Sequence, residues 1–547
     1  MTVDFNEVML NFPGSPREEQ KKVIKKICDI FSSGKKYAIV NVPTGVGKSH
    51  IAATLCKATH DTDPYIREEL LSCRAFITEN ESDFAYKASS TAPAGGAVLT
   101  TTKMLQDQYE NLFLEMTSLK GMSNYACNVD SNFSIDIAPC KTTPSLKTKC
   151  LTNGTCSYYM LRGKALASQF SVFNYNVYLN LKPHLRYKEL LICDEATEIE
   201  ELLVSKHTCN IPYSVLEAEN VPFKKLKTED KHTAYAWLGE LSVSLSRIIK
   251  DLSEIVNLKK NKKNAIIASD VKRLSRLRNL FESVSSVIQT WSDSDYIVEW
   301  DLQSVTFTPF NVDKLSHHIF DFAEKVVLMS ATIIDHRDYA QSLGISPNDY
   351  EYFEVESPFD PEASPIKCLS KYPLSFNTMK SMLPKVIDIA TDICESHAKE
   401  KGVIHTHTFQ ISEAFQRKVQ KEQRFLFRSH GTSNEQIIDI HSSSLLPTVV
   451  VSPSMSFGVS FDDDSGRFQI IMKAPYMPLS SKRIKMIFDK FPQRYQNKML
   501  VNLVQMCGRC TRNKDDHSIT YILDATAVKA ILREKDKLPK YFLSRII

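Results

Sequence analysis

The sequence predicts an α/β protein with two largely parallel sheets covered by helices. Three observations point there. A phosphate-loop pattern joins an apolar run to a helix-forming run near the N-terminus. Further short apolar, β-branched runs alternate with helix-length segments along the chain. The length of 547 residues and an apolar fraction of 43% allow three or four domains, each with a buried core. No internal repeat or extended low-complexity tract interrupts this pattern.

The first strand is expected in YAIVNV, Tyr37 to Val42, followed by the loop PTGVGKS and by the helix-forming IAATLCKA. Gly45 and Gly47 allow the backbone N–H groups of Pro43-Thr44-Gly45-Val46-Gly47 to turn inward around phosphate oxygens. Lys48 then reaches the β and γ phosphates, and the Ser49 hydroxyl ligates magnesium. The following helix adds its positive dipole end. The ligand implied is ATP with Mg2+. Val42 stands where the general pattern G-x-x-x-x-G-K-[ST] has its first glycine, so the strict pattern is not met. A plain glycine-rich turn before a helix is the competing reading, and it leaves the lysine and hydroxyl without a purpose.

The segment 60–96 is longer than a simple α/β connection needs, and the sequence assigns it no role. Beyond it Cys127, Cys140, Cys150 and Cys156 fall within 30 residues, with 12, 9 and 5 residues between them. Four thiolates from one segment can hold a [4Fe–4S] cluster or a zinc ion; zinc sites usually carry C-x-x-C pairs, and none occurs here. Spacing alone leaves cluster, zinc and plain buried thiols open. The stretch KTTPSLKTKCLTNGTC has too few apolar residues to fold without a cross-linking centre. Around it Tyr125, Tyr158, Tyr159, Phe173 and Tyr175 are interleaved with Lys141, Lys147, Lys149, Arg162 and Lys164. The cations can track phosphates while the rings stack on bases, or the rings can belong to the core.

Leu190-Leu191-Ile192-Cys193 reads as a strand ending in Asp194-Glu195-Ala196-Thr197. A carboxylate at a strand end beside the phosphate loop can hold magnesium, here Asp194, and Glu195 can orient or deprotonate the attacking water. Alone, such a pair is an ordinary solvated strand end; its order after the loop gives it the role. From Leu238 apolar residues recur at Leu241, Leu245, Ile248, Leu252 and Ile255, and again at Val271, Leu274, Leu277, Phe281, Val284 and Ile288. This is a helical hairpin, with Lys259-Lys260-Asn261-Lys262-Lys263 as its polar turn.

Lys325 to Met329 is strand-like and delivers Ser330-Ala331-Thr332. A second sheet is expected from about Pro365, with strands at Gly402 to Thr406, Thr448 to Ser452 and Phe468 to Met472. Near the C-terminus stands Gln505-Met506-Cys507-Gly508-Arg509-Cys510-Thr511-Arg512. On a helix, Arg509 and Arg512 would share one face, and either could supply an arginine finger to the γ phosphate, with Gln505 contacting water or phosphate.

The net charge of +4 is a small difference between 68 basic and 64 acidic residues, so any nucleic-acid surface must be local. Thirteen cysteines spread from Cys28 to Cys510 do not make a secreted disulfide scaffold. No apolar run of about 18 residues occurs, and the chain is expected to be intracellular, cytoplasmic or nuclear, without a membrane partner.

The ordered set PTGVGKS, DEAT, Ser330-Ala331-Thr332 and QMCGRCTR resembles superfamily 2 helicases. Finer features resemble the iron–sulfur branch typified by XPD and DinG. Arg17 and Gln20 in SPREEQKKVIKKI look like its adenine-side motif, and VLTTTKMLQDQYENL is similar to its motif Ia, where Thr101 and Thr102 would meet the DNA backbone. SLKGMSNYACN and CSYYMLRGKALASQFSVFNYNVYL resemble the sequences flanking its cluster. Two departures stand out. Thr197 replaces the usual motif II histidine, and Phe457-Gly458-Val459-Ser460 replaces motif V, with acids displaced to Asp462, Asp463 and Asp464.

The resemblance implies two RecA-like P-loop motor domains with an inserted iron–sulfur cluster domain and a helical arch domain. The boundaries implied are motor domain 1 at 1–119, 161–202 and 306–362; cluster domain at 120–160; arch at 203–305; and motor domain 2 at 363–547. It further implies a [4Fe–4S] cluster on the four cysteines and a monomer travelling 5′ to 3′ on single-stranded DNA to unwind duplexes and fork junctions. The rivals are an ATP-switched clamp that grips nucleic acid without unwinding it, and a small-molecule kinase using the same loop.

Overall fold

The computed structural model of the chain describes residues 3–77, 94–141, 143–261, 268–420, 422–428, 434–453, 461, 463–511 and 516–547. Strands β1 (Tyr37–Asn41), β2 (Gly96–Thr100), β3 (Thr117–Leu119), β4 (Phe170–Asn174) and β5 (Lys188–Asp194) begin the first sheet. A small sheet follows from β6 (Cys209–Pro212), β7 (Tyr296–Trp300) and β8 (Ser304–Pro309). β9 (Ala323–Ser330) and β10 (Tyr350–Glu354) then return to the first sheet, completing the order β10-β1-β9-β5-β2-β4-β3 with every neighbouring pair parallel.

The second large sheet takes β11 (Ile366–Tyr372), β12 (Gly402–His405), β13 (Phe425–Phe427), β14 (Val449–Ser452), β15 (Phe468–Ile471) and β16 (Ile519–Asp524). Its order is β11-β16-β15-β12-β14-β13, again all parallel. The expected fold of two parallel-sheet α/β domains is therefore present.

The sequence dictates this locally. β1, β2 and β5 bury every residue because helices cover both faces, so their side chains alternate between two cores rather than between core and water. Tyr37 and Ile39 pack with Leu99, Leu191 and Val326 on one face; Ala38 and Val40 pack with Val98, Ile192 and Val327 on the other.

The helical hairpin forms from Lys231–Asn261 and Ala268–Gln289, with Leu245, Leu274, Leu277 and Val284 fully buried. The expected polar turn does not begin at Lys259. Lys259, Lys260 and Asn261 continue the first helix, lysine being a good helix former, and Lys262 and Lys263 lie outside the described residues. The hairpin packs on the antiparallel sheet β6-β8-β7, which the sequence reading did not foresee, and β8 runs across position 305.

Candidate functional site: a nucleotide cleft between two sheets

Sheet order brings three strand ends together. β9 lies between β1 and β5, with Asn41 opposite Ser330 and Asp194 opposite Met329, so the phosphate loop, the Ser330-Ala331-Thr332 turn and the Asp194-Glu195 pair share one edge. Ligands of open parallel sheets bind at this carboxyl edge.

Within the loop, Gly45 (φ +87°) and Gly47 (φ +92°) adopt left-handed backbone. A Cβ at Gly45 would run into the Phe359 ring and one at Gly47 into the Gln20 amide. Gly47 caps the helix Lys48–Lys57, which carries Lys48 and Ser49 in its first turn. Arg17 and Gln20 meet this loop directly. Arg17 Nη1 donates to the Gly45 carbonyl at 2.8 Å, and Gln20 Nε2 donates to the Val46 carbonyl at 3.0 Å. Gln20 Oε1 in turn accepts from the Arg17 N–H at 2.9 Å.

Lys48 Nζ lies 2.9 Å from Glu195 Oε1 and 3.8 Å from Asp194 Oδ1. Burial raises the Asp194 pKa, and the Lys48 charge opposes that shift. Glu195 sits at φ 51°, ψ 49°, a left-handed conformation uncommon outside glycine, with its N–H donating to Asp194 Oδ1 at 3.0 Å. The turn is pinned from below by tyrosines. Tyr175 donates to the Asp194 carbonyl at 3.1 Å and Tyr339 to the Ala196 carbonyl at 2.7 Å. A glycine loop in left-handed backbone, a lysine, a hydroxyl and two carboxylates fit magnesium–triphosphate binding and activation of a water.

The hydroxyl of Thr197 contacts Ser330 Oγ at 3.1 Å, and Ser330 Oγ lies 3.5 Å from Thr332 Oγ1. Thr332 Oγ1 then accepts from Gln505 Nε2 of the second domain at 3.1 Å. A path of side-chain contacts thus leads from Thr197, two residues after the carboxylate pair, to the other domain. The Gln505 carbonyl oxygen is buried without a hydrogen-bond partner, so it can still accept from water.

Arg509 does not lie on the expected helix. The helix Pro492–Cys507 stops at Gly508 (φ −97°, ψ 12°), a poor helix former, and its final carbonyl on Cys507 accepts from Gln469 and Arg545. Arg509 therefore follows the helix, where its charge helps lower the pKa of Glu198, a group that burial raises. Arg512 lies outside the described residues, as do Phe457, Gly458, Val459, Ser460 and Asp462. Asp464 of the displaced acids pairs with Arg467 at 2.7 Å.

An ion cluster fastens the two sheets below the cleft. Glu200 and Glu201, on the helix Ile199–His207 after Thr197, meet Arg483 and Lys498 of the second domain at 2.5 to 3.1 Å. Burial would raise Glu200, but Lys498 and Arg483 overcome it and hold it at about 2. Arg494 and Asn497 both donate to Asp338 at 3.0 Å. Sequence reading missed this cluster, because its partners lie far apart in the chain.

Cys127, Cys140, Cys150 and Cys156 all line one pocket, three of them buried and Cys140 half-buried. Among the described residues no three His, Cys, Asp or Glu groups are gathered as closely as one metal ion requires. Of the five aromatics that could stack on bases or belong to the core, Tyr158, Tyr159, Phe173 and Tyr175 are buried in the core and Tyr125 is half-buried, and Arg162 stacks against Phe76 at 4.9 Å. Lys149 and Lys164 are exposed. Part of the long 60–96 segment buttresses this region: the helix Pro64–Leu71 packs on Ser157–Ala167, where Gly163 admits the Leu70 carbonyl. Arg278 of the hairpin donates to the Lys141 carbonyl at 2.8 Å, joining hairpin and cysteine segment.

At motif Ia, Thr102 caps the helix Lys103–Leu112 by accepting from the Leu105 N–H at 3.3 Å, and Thr101 lies half-buried beside it. Among the described residues no helix is long and apolar enough to cross a membrane.

Residues 391–542 match the family described as helicase C-terminal domain, and residues 14–72 match that described as type III restriction enzyme, res subunit. No curated protein matches the chain. The chain is similar to a solved XPD helicase with a TM-score of 0.59 at 13% identity, over 98% of this chain and 100% of that one. It is similar to Xpd4 of S. tokodaii with a TM-score of 0.52 at 13% identity, over 94% and 97% of the two chains. An XPD apo structure gives 0.53 at 13% identity, over 94% and 98%. With the helicase C-terminal match lying in the second parallel sheet and the phosphate loop in the first, the chain carries a helicase C-terminal domain and shares the fold of the XPD structures.

Proposed function

We propose that the chain is an ATP-dependent DNA helicase that moves 5′ to 3′ along single-stranded DNA as a monomer and opens duplexes and forks. The observation that carries this reading is the cleft itself. Lys48 pairs with Glu195 at the phosphate loop, and the contacts of Thr197, Ser330 and Thr332 run from beside that pair to Gln505 of the second domain. Ser49 and Asp194 would hold magnesium, and Glu195 would prepare the attacking water. Arg509, and Arg512 beyond it, would neutralise charge developing on the γ phosphate. Arg17 and Gln20 hold the loop from the side where the resemblance puts the adenine. The preference for DNA and the polarity come from the family resemblance.

The four cysteines fit a [4Fe–4S] cluster as its ligands, since they line one pocket in a segment with little core of its own. A bound cluster would cross-link that segment. The Arg278–Lys141 contact supports an arch and cysteine segment that together enclose a single strand.

The test is ATP turnover by anaerobically purified protein, with and without single-stranded DNA or RNA, alongside iron and sulfide analysis. Stimulation by DNA and about four irons per chain are expected. Turnover indifferent to nucleic acid would remove the motor reading, and zinc in place of iron would remove the cluster.

A further inference from the structure

Tyr109 is a buried polar side chain beside the cleft that the mechanism above does not use. It lies on the helix Lys103–Leu112, seven residues after the capping Thr102, which is about 10 Å along the axis. Its side chain is fully buried, and its ring packs against Phe113, which also touches His50 and Phe170. Gln106 of the same helix donates to the Leu119 carbonyl at 3.2 Å, so the helix is held against the sheet. The phenol oxygen has no hydrogen-bond partner of normal geometry. The side chain it faces is that of Ser49, with Asp194 and Glu195 beyond.

A buried phenol without a partner is uncommon, and one directed at the magnesium-binding hydroxyl has a use there. A serine oxygen offers two lone pairs and one proton. With one lone pair on magnesium and the proton on a phosphate oxygen, the second lone pair accepts a hydrogen bond. We propose that Tyr109 is a positioning residue that donates this bond to Ser49 Oγ, fixing the serine for magnesium and tying the metal site to the helix that Thr102 begins. Displacement of the helix N-terminus by a nucleic-acid backbone then shifts the phenol, so strand binding alters magnesium coordination. This rests on the motor reading above.

Tyr109→Phe keeps the ring and removes the oxygen. The expected result is an Mg2+ requirement for nucleotide binding and hydrolysis raised about five- to tenfold, with a smaller stimulation by single-stranded DNA. The melting temperature should stay near that of the wild type. A cycle with Ser49→Ala, read as nucleotide affinity against Mg2+ concentration, separates this from a packing effect. Loss of the Tyr109→Phe effect in the Ser49→Ala background supports the bond. Additive effects, or an unchanged Mg2+ requirement in Tyr109→Phe, overturn it. If the wild type itself shows no DNA-stimulated turnover, the motor reading fails instead.

Discussion

Lys48 makes its ion pair with Glu195 at 2.9 Å, so under the proposed function ATP binding would exchange one anion for another on the ammonium group. A γ phosphate taking the lysine would release Glu195 toward the attacking water. Lys48→Ala should lower ATP turnover by about 100-fold or more while leaving thermal melting close to the wild type. Thr197→Val should leave basal hydrolysis in place but reduce its stimulation by single-stranded DNA, because it removes only the hydroxyl that meets Ser330. Comparing the two rates in one ATPase assay checks both variants. The meeting of Lys48 with Asp194 and Glu195 was legible from residue type and order alone. The partner of Thr197 was not, because only sheet order places β9 beside β5. Where the resemblance expects a histidine, Thr197 offers a hydroxyl that meets that of Ser330.

Among the elements, periodic apolar faces made the hairpin readable, since Leu241, Leu245 and Leu274 are core residues on helices of the expected length. Interleaved tyrosines and cations were ambiguous. A tyrosine has the same composition whether it stacks on a base or fills a core, and burial decided for the core at Tyr158 and Tyr159. Gly508 ended the helix that would have aligned Arg509 and Arg512, a helix-stop signal that was present in the sequence but outweighed by the motif. The cysteine segment gives this scale its prediction. Cys150→Ser should lose most of the iron and make the segment around it sensitive to proteolysis, while nucleotide binding at the distant loop persists. Metal analysis and limited digestion measure both. Retained iron would show that Cys150 is not a ligand.

The whole molecule is held together by charge as well as by cores. Glu200, Glu201, Arg483 and Lys498 form a buried clasp between the domains, and Arg494 with Asn497 adds a second grip on Asp338. Glu200→Gln leaves Arg483 and Lys498 with one fewer counter-charge, and should cost about 3–5 kcal/mol of interdomain stability, read by differential scanning calorimetry. The Glu200 pKa is depressed in the folded protein, so its contribution is complete above the ordinary carboxylate range near 4.5 and is lost as pH falls from there through about 2. Low-pH melting should therefore show the two domains separating before either unfolds. None of this clasp was legible in the sequence, where its members are ordinary surface-type residues nearly 300 positions apart. The central claim is that the cleft between these domains drives strand separation. Its most direct test is ATP-dependent displacement of a labelled strand from forked DNA carrying a free 5′ or a free 3′ tail. The account predicts displacement with the 5′ tail, dependent on hydrolysable ATP and absent in Lys48→Ala. Tight ATP-controlled binding to both substrates without displacement from either would contradict it.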